Sequence, residues 1–409
     1  MIKIRLDNAS FASEVSVQLP SSKSISNRVL MIHKIGELSS KIDNLSDAND
    51  TVFLKKILES TSDDVYCGAG GTTLRFYLSY CFLKDKPVVL RGDISLNSRP
   101  VFPLVNALTQ LGADIIYLHE KGCAPIKIAG TAKKNSKVNL TANISSQFVS
   151  SLLLIAPYLP QGLEIEFPSA QVSRSYISMT ISLMDYFGVK VEVFENRLIV
   201  KPQQYLNNDF HIPADWSAAI YWIGFIAILG KGKLFLEKLA KDELQGDEAL
   251  LNWVNVLGIT YRLTEKGIHF EKAITAQKDN WELDLSNNPD LAQPLVVITA
   301  ALGIKAKFTG LSTLIHKETN RIAAISQELK KVGVKLKTGD DFIIVEDKVD
   351  TSLFSTAIFE TYHDHRMAMS LSMFAACGQP IKINHPEVVA KSYPTFFEEL
   401  KKIASITAE

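Results

Sequence analysis

The residue types best suited to chemistry fall in three short stretches: Lys317-Glu-Thr-Asn-Arg321, Pro289-Asp290 and Pro20-Ser-Ser-Lys-Ser-Ile-Ser-Asn-Arg28. Glu318 and Lys317 each lie one helical turn from Arg321, so a helix would hold the carboxylate among cations. A carboxylate held that way stays ionised and oriented, as a proton-transfer group must be. A surface ion pair at the start of an amphipathic helix would use the same spacing. Asp290, after a proline, suits either a proton handler or a plain N-cap. Lys23 and Arg28 open an apolar helical segment, Val29 to Ile35, that Ser22 or Ser24 can cap. Cations in a first turn oppose the helix dipole and call for a negative group, and the free N–H groups there attract one.

The same pairing of small donors with cations recurs at other helix starts. Gly68-Ala-Gly-Gly-Thr-Thr-Leu-Arg75 precedes an apolar segment at 76–82, Ser98-Arg-Pro100 one at 104–111, and Ser145-Ser-Gln147 one at 148–155. Ser173-Arg-Ser-Tyr176, Asp215-Trp-Ser217, Asp364-His-Arg366 and Lys391 stand before others. Capping alone explains the Ser and Thr residues, but not the cations. Helix N-termini gathered in one place would attract anions strongly. No Gly-x-x-x-x-Gly-Lys-Ser/Thr or Gly-x-Gly-x-x-Gly pattern points to a nucleotide, although Gly68 to Gly71 could cradle a phosphate. His363 and His365 are two apart and share no helical face, so no metal is expected. With no Gly-x-Ser-x-Gly elbow and no cysteine in these motifs, two carboxylates, a lysine and many anion donors remain. That set suits proton shuttling on polyanionic substrates, without a cofactor.

The elements that must position these groups repeat. Residues 105–115, 181–191, 251–261 and 326–336 each read as an apolar helical stripe, a glycine C-cap and an alternating β segment. Their glycines, Gly112, Gly188, Gly258 and Gly333, are spaced by 76, 70 and 75 residues, which implies a βαβ-type unit used several times. The stretch 50–67 is too short for a whole unit, so one copy is expected to be trimmed. A length of 409 residues fits two domains. The balance of 44 basic and 44 acidic residues excludes a nucleic-acid coat, so any basic site is local. The run 218–230 is too short to span a bilayer and predicts a buried helix; no membrane association is expected. Met1-Ile-Lys-Ile-Arg lacks a signal core, and Cys67, Cys81, Cys123 and Cys377 show neither metal nor disulfide spacing, as in a reduced cytoplasmic protein.

Taken together and in order, the motifs resemble the 5-enolpyruvylshikimate-3-phosphate synthases of the enolpyruvyl transferase family. They are Ser22 to Arg28, Gly70-Gly-Thr-Thr-Leu-Arg75, Arg99-Pro100, Ser145-Ser-Gln147, Ser173 with Tyr176, Asp215, Pro289-Asp290, Lys317 to Arg321, Asp364-His-Arg-Met-Ala-Met369 and Lys391. The resemblance implies an α/β (α+β) fold of two similar domains, each a pseudo-threefold inside-out barrel of βαβαββ units, with the site in the cleft between them. On that pattern residues 15–212 form an inserted domain and residues 1–14 with 213–409 a discontinuous one. The implied reaction moves the carboxyvinyl group of phosphoenolpyruvate to the 5-hydroxyl of shikimate 3-phosphate, in a monomer. By resemblance Asp290 lies near the attacking hydroxyl, Glu318 near the methylene carbon, and Lys23 bridges both substrates. Gly71, Arg99, Gln147, Arg321, Arg366 and Lys391 match the phosphoenolpyruvate side. Ser24, Arg28, Ser145, Ser146, Gln147, Ser173, Tyr176, Asp290 and Lys317 match the shikimate 3-phosphate side. Ala69, Thr313, Asn320, His363 and Trp216 depart from the usual pattern. The transferase that uses UDP-N-acetylglucosamine is an alternative, but it opens with Lys-Asn and carries a loop cysteine. A non-catalytic binder of small phosphorylated acids is another, though it would need no carboxylates.

Overall fold

The computed structural model describes residues 1–7, 13–140, 145–168, 174–273, 275–276 and 280–409. Five short strands, Val88–Arg91, Leu163–Glu166, Lys233–Glu237, Ala306–Thr309 and Ile381–Ile383, alternate buried with more exposed residues. That alternation asks for a sheet with one covered face. Each of the five pairs in the same way, with a parallel strand at the near edge and an antiparallel strand on its other side, to which a fourth, also antiparallel, is added. The repeat read from the glycine spacing is therefore a four-stranded mixed sheet with its helices.

The chain divides into residues 1–21 with 213–409, and residues 22–212. The first unit holds three of these sheets, and the second holds two plus a two-stranded pair, Ile42–Asp43 with Phe210–His211. One copy is thus reduced, but not at 50–67 as expected: that stretch holds the helix Asn49–Leu58 and the strand Asp64–Tyr66, the parallel edge of a complete four-stranded sheet. Residues 15–21 go with the discontinuous unit rather than the inserted one, because Glu14–Gln18 pairs in parallel with Lys233–Glu237, Val15 opposite Leu234 and Val17 opposite Leu236.

Helices fill the interior of each unit and the sheets wrap outside. In the discontinuous unit the apolar run forms the helix Trp216–Leu229, buried on almost every side and ended by left-handed Gly230. It packs on Ala292–Leu302 and on the turn Met373–Cys377 that continues His365–Ser372. At Gly224 an added Cβ would lie 2.2 Å from Met373 Sδ and 3.0 Å from Ile298, so the helices touch backbone to side chain there. In the inserted unit Lys23–Gly36, Gly71–Leu83, Ser146–Ile155 and Arg174–Tyr186 pack on one another. Gly112, Gly188, Gly258 and Gly333 all have positive φ, from 73° to 104°. One repeat departs from the predicted helix: residues 246–252 form a 3-10 helix, and i→i+3 bonds continue through Gly258 to Asn255.

Candidate active site

In each unit the starts of several helices meet, and the cations predicted to need a negative partner are found there. In the inserted unit Ser22 caps Lys23–Gly36, accepting from the Ile25 amide at 3.5 Å. Lys23 Nζ then reaches Asp50 Oδ2 at 3.1 Å. Asp50 opens the next helix, Asn49–Leu58, and its carbonyl accepts from Thr73 Oγ1 at 2.9 Å, tying it to the glycine-rich start of Gly71–Leu83. A Cβ on Gly71 would stand 2.8 Å from Arg75 Nη1 and 2.9 Å from Arg99 Cζ, so only glycine admits both guanidinium groups. Arg75 Nη1 donates to Gln147 Oε1, Arg75 Nη2 to the Pro100 carbonyl at 2.9 Å, and the guanidinium lies over the Phe148 ring. Ser145 caps the helix that carries Ser146 and Gln147.

Arg28 is the buried cation of this unit. It donates to Thr180 Oγ1 at 2.7 Å, Ser150 Oγ at 3.1 Å and the carbonyls of Ser24 and Tyr176. Among the described residues no carboxylate pairs with it, and burial pulls it down to about 10. A buried guanidinium met only by neutral acceptors is a place where an anion is favoured. Ser173 lies outside the described residues.

The discontinuous unit holds a denser cluster. Asp290 sits in the turn Pro289–Leu291 and does not cap the following helix, so its carboxylate is available to side chains. Oδ1 accepts from Arg321 Nη1 at 3.1 Å and lies 3.6 Å from Lys317 Nζ; Oδ2 accepts from Arg366 Nη2 at 2.7 Å. Glu318 is shared between Arg321 Nη2 and Lys391 Nζ, each at 2.8 Å. The helix begins only at Arg321, capped by Asn320, so Glu318 reaches Arg321 from the preceding turn rather than along a helical face. Arg321 also donates to Asp364 at 2.7 Å. Burial would lower its affinity for a proton, but Asp364, Glu318 and Asp290 together raise it above the ordinary arginine range. Arg366 reaches on to Ser217 Oγ and to the Tyr221 hydroxyl at the start of Trp216–Leu229. Six residues singled out from sequence, Asp290, Lys317, Glu318, Arg321, Arg366 and Lys391, are thus one contact network.

Sequence reasoning passed over Asp50, Asp247 and the buried role of Asp364. Asp50 had one signal, an acid at a helix start opposite a lone lysine. Asp247 is buried, and its carboxyl is pushed up to about 7 by burial and by Asp290, with Arg366 opposing. It binds its proton more tightly folded than unfolded. Its contribution therefore favours the folded state fully below its ordinary 3.8 and is lost as pH rises towards about 7. Relative to the parent, Asp247→Asn should melt at nearly the same temperature at pH 4 and several degrees higher at pH 8; parallel curves of Tm against pH would contradict this.

The cluster sets the carboxyl groups of Asp290 and Glu318 beside buried cations, a combination that can move protons while holding anions. Thiol chemistry is disfavoured: all four cysteines are free, and burial raises the thiol pKa of each, Cys81 and Cys377 to about 12. No helix among the described residues is long and apolar enough to cross a membrane.

Comparison with known proteins matches residues 53–400 to the family model described as EPSP synthase (3-phosphoshikimate 1-carboxyvinyltransferase). A 3-phosphoshikimate 1-carboxyvinyltransferase of Bacteroides fragilis (strain YCH46) is 37% identical over 390 residues, 95% of each chain. One of Haemophilus influenzae (strain PittEE) is 33% identical over 438 aligned positions, covering 96% of this chain and 97% of the relative. The fold matches an EPSP synthase structure from Acinetobacter baumannii with a TM-score of 0.75 at 22% identity, over the whole of both chains.

Proposed function

Because the chain belongs to the EPSP synthase family, we propose that it transfers the carboxyvinyl group of phosphoenolpyruvate to the 5-hydroxyl of shikimate 3-phosphate. The observation that carries the proton-transfer part is Asp290 and Glu318 bridged by one buried guanidinium, Arg321. Glu318 enters the cycle as the neutral acid: the hydroxyl oxygen forms a bond to C2 of phosphoenolpyruvate as its proton goes to Asp290, and the C3 methylene takes the proton of Glu318 to become a methyl group, leaving Glu318 as the carboxylate. In the second step the methyl group returns a proton to Glu318 as the C2–O bond to phosphate breaks, and the proton held by Asp290 leaves with the inorganic phosphate, which restores both carboxyl groups to their starting states. Each step changes the charge on substrate oxygens, and Lys23, Arg99, Arg321, Arg366 and Lys391 are the fixed charges that stabilise it.

Arg28, with Ser24, Ser145, Ser146, Ser173, Tyr176 and Lys317, holds shikimate 3-phosphate in this reading. The absence of a carboxylate beside Arg28 among the described residues supports its share. Gly71 keeps the phosphoenolpyruvate side open for Arg99, with Gln147 oriented by Arg75. The reading includes a monomer in the cytoplasm, and the four free thiols are its support for the compartment. Carboxylates within the anion cluster favour catalysis over mere binding.

Steady-state phosphate release tests the reaction: it should require both compounds together, and release from phosphoenolpyruvate alone at the same rate would overturn it. Gly71→Ala tests the partition between substrates. Displacing Arg75 and Arg99 should raise KM for phosphoenolpyruvate about tenfold, the scale of one lost charge-assisted hydrogen bond. The Kd for shikimate 3-phosphate should stay nearly constant. Equal weakening of both would contradict the assignment.

A further inference from the structure

The turn that leads into the helix His365–Ser372 holds two residues in a conformation their side chains disfavour. Tyr362 and His363 have φ of 52° and 55°, and the Asp364 amide donates to the Thr361 carbonyl at 2.8 Å to close the turn around them. Glycine, asparagine and aspartate dominate such central positions, so tyrosine and histidine stay there only where outside contacts impose the turn. Those contacts come from the helix Arg321–Lys330. Glu328, fully buried on that helix, accepts from the Glu360 amide at 2.9 Å through Oε2, and its Oε1 lies 2.7 Å from the Tyr362 hydroxyl. The hydroxyl is also 2.8 Å from Gln327 Oε1, and its one proton goes to the carboxylate, the stronger acceptor. Lys331 Nζ meets the buried charge at 2.8 Å and donates to the Ile358 carbonyl at 2.8 Å. Two helical turns earlier, Arg321 donates to Asp364 at 2.7 Å, and Asp364 in turn accepts from the Arg366 amide at 2.8 Å. The turn is thus fastened at both ends to one helix, and it delivers Asp364 and Arg366.

We propose that Glu328 is a positioning residue for the reaction: by holding the Glu360 amide and the Tyr362 hydroxyl, it fixes the turn that sets Asp364 against Arg321 and aims Arg366 at phosphoenolpyruvate. The proposal rests on the reading above that gives Arg321 and Arg366 to phosphoenolpyruvate. Without Glu328 the turn relaxes towards the backbone its residues prefer, and Asp364 and Arg366 move with it. A displacement on the order of 1 Å at such groups costs up to about a hundredfold in rate.

The test is kcat/KM for phosphoenolpyruvate at saturating shikimate 3-phosphate, together with Kd for shikimate 3-phosphate, in the parent, Glu328→Ala and Glu328→Gln. Alanine removes both contacts and should lower kcat/KM about tenfold or more. Glutamine can turn its oxygen to the Glu360 amide and its NH2 to the Tyr362 oxygen, losing only the charge opposite Lys331, and should stay within about threefold of the parent. Kd for shikimate 3-phosphate should change by no more than about twofold in either variant, because Arg28 and the serines assigned to it belong to the other unit. A glutamine variant as impaired as the alanine one would make the ion pair with Lys331 the reason for the carboxylate, and equal weakening of both substrates would mark a merely structural residue; either result overturns the proposal. Tyr362→Phe gives a second reading should Glu328→Ala fold poorly. It should lower the single-turnover rate at subsaturating phosphoenolpyruvate about fivefold in the parent background and not at all in Asp364→Asn, since the turn acts through Asp364. The same factor in both backgrounds overturns the proposal. A parent without turnover would instead remove the assigned reaction, and this inference with it.

Discussion

Glu318→Gln is expected to lower kcat by about a hundredfold or more, the usual contribution of a positioned proton donor, while Kd for shikimate 3-phosphate changes by no more than about twofold. Glutamine is nearly isosteric and can still accept from Arg321 or Lys391, but it cannot carry a proton and presents an amide to one of the two cations. The mutation therefore separates charge and proton traffic from shape. The residue is well buried, and each of its two oxygens faces one of these cations. A variant with full turnover would take Glu318 out of the reaction, and one that no longer binds shikimate 3-phosphate would make it a scaffold residue. Stopped-flow binding and single-turnover quench, run on the same preparation, distinguish these outcomes.

Asp290→Asn should have an effect of similar size, about 10²- to 10⁴-fold in kcat, but a broader one. Asp290 accepts from Arg321 and Arg366 and lies beside Lys317. Removing its charge leaves three cations with less compensation, and stripping one partner from a buried ion network costs about 3–5 kcal/mol in the severe cases. A fall in Tm should accompany the loss of turnover, whereas phosphoenolpyruvate, itself an anion, should bind at least as tightly as in the parent. Weaker phosphoenolpyruvate binding in this variant would show that Asp290 positions the clamp rather than handling the proton.

Much of this site was legible before any coordinates, because it is written in local grammar. Ser22, Asn320 and Asp364 cap helices whose next residues are Lys23, Arg321 and His365-Arg366, and capping residues beside out-of-place cations can be read within a few positions. The fourfold glycine spacing likewise fixed the repeat, since each glycine takes a left-handed φ after its helix or helical turn. What could not be read was partnership at long range. Asp50 is 27 residues from Lys23, and Asp364 is 43 from Arg321. Nothing in the spacing says which acid compensates which base. Asp247 was invisible for a different reason, since its importance lies in burial and in the lack of a cationic partner, neither of which has a sequence signature. The division of the chain after residue 21 follows from another long-range partnership, the strand pairing of Glu14–Gln18 with Lys233–Glu237.

The central claim, that Glu318 adds a proton to the methylene carbon and later removes one, is tested most directly by running the reaction in deuterium oxide and reading the vinyl group of the product by NMR. A transient methyl group must mix solvent deuterium with the original hydrogens, so the account predicts deuterium in the product's methylene position, and almost none formed with Glu318→Gln. Product that forms at the normal rate with its vinyl hydrogens wholly unexchanged would contradict it.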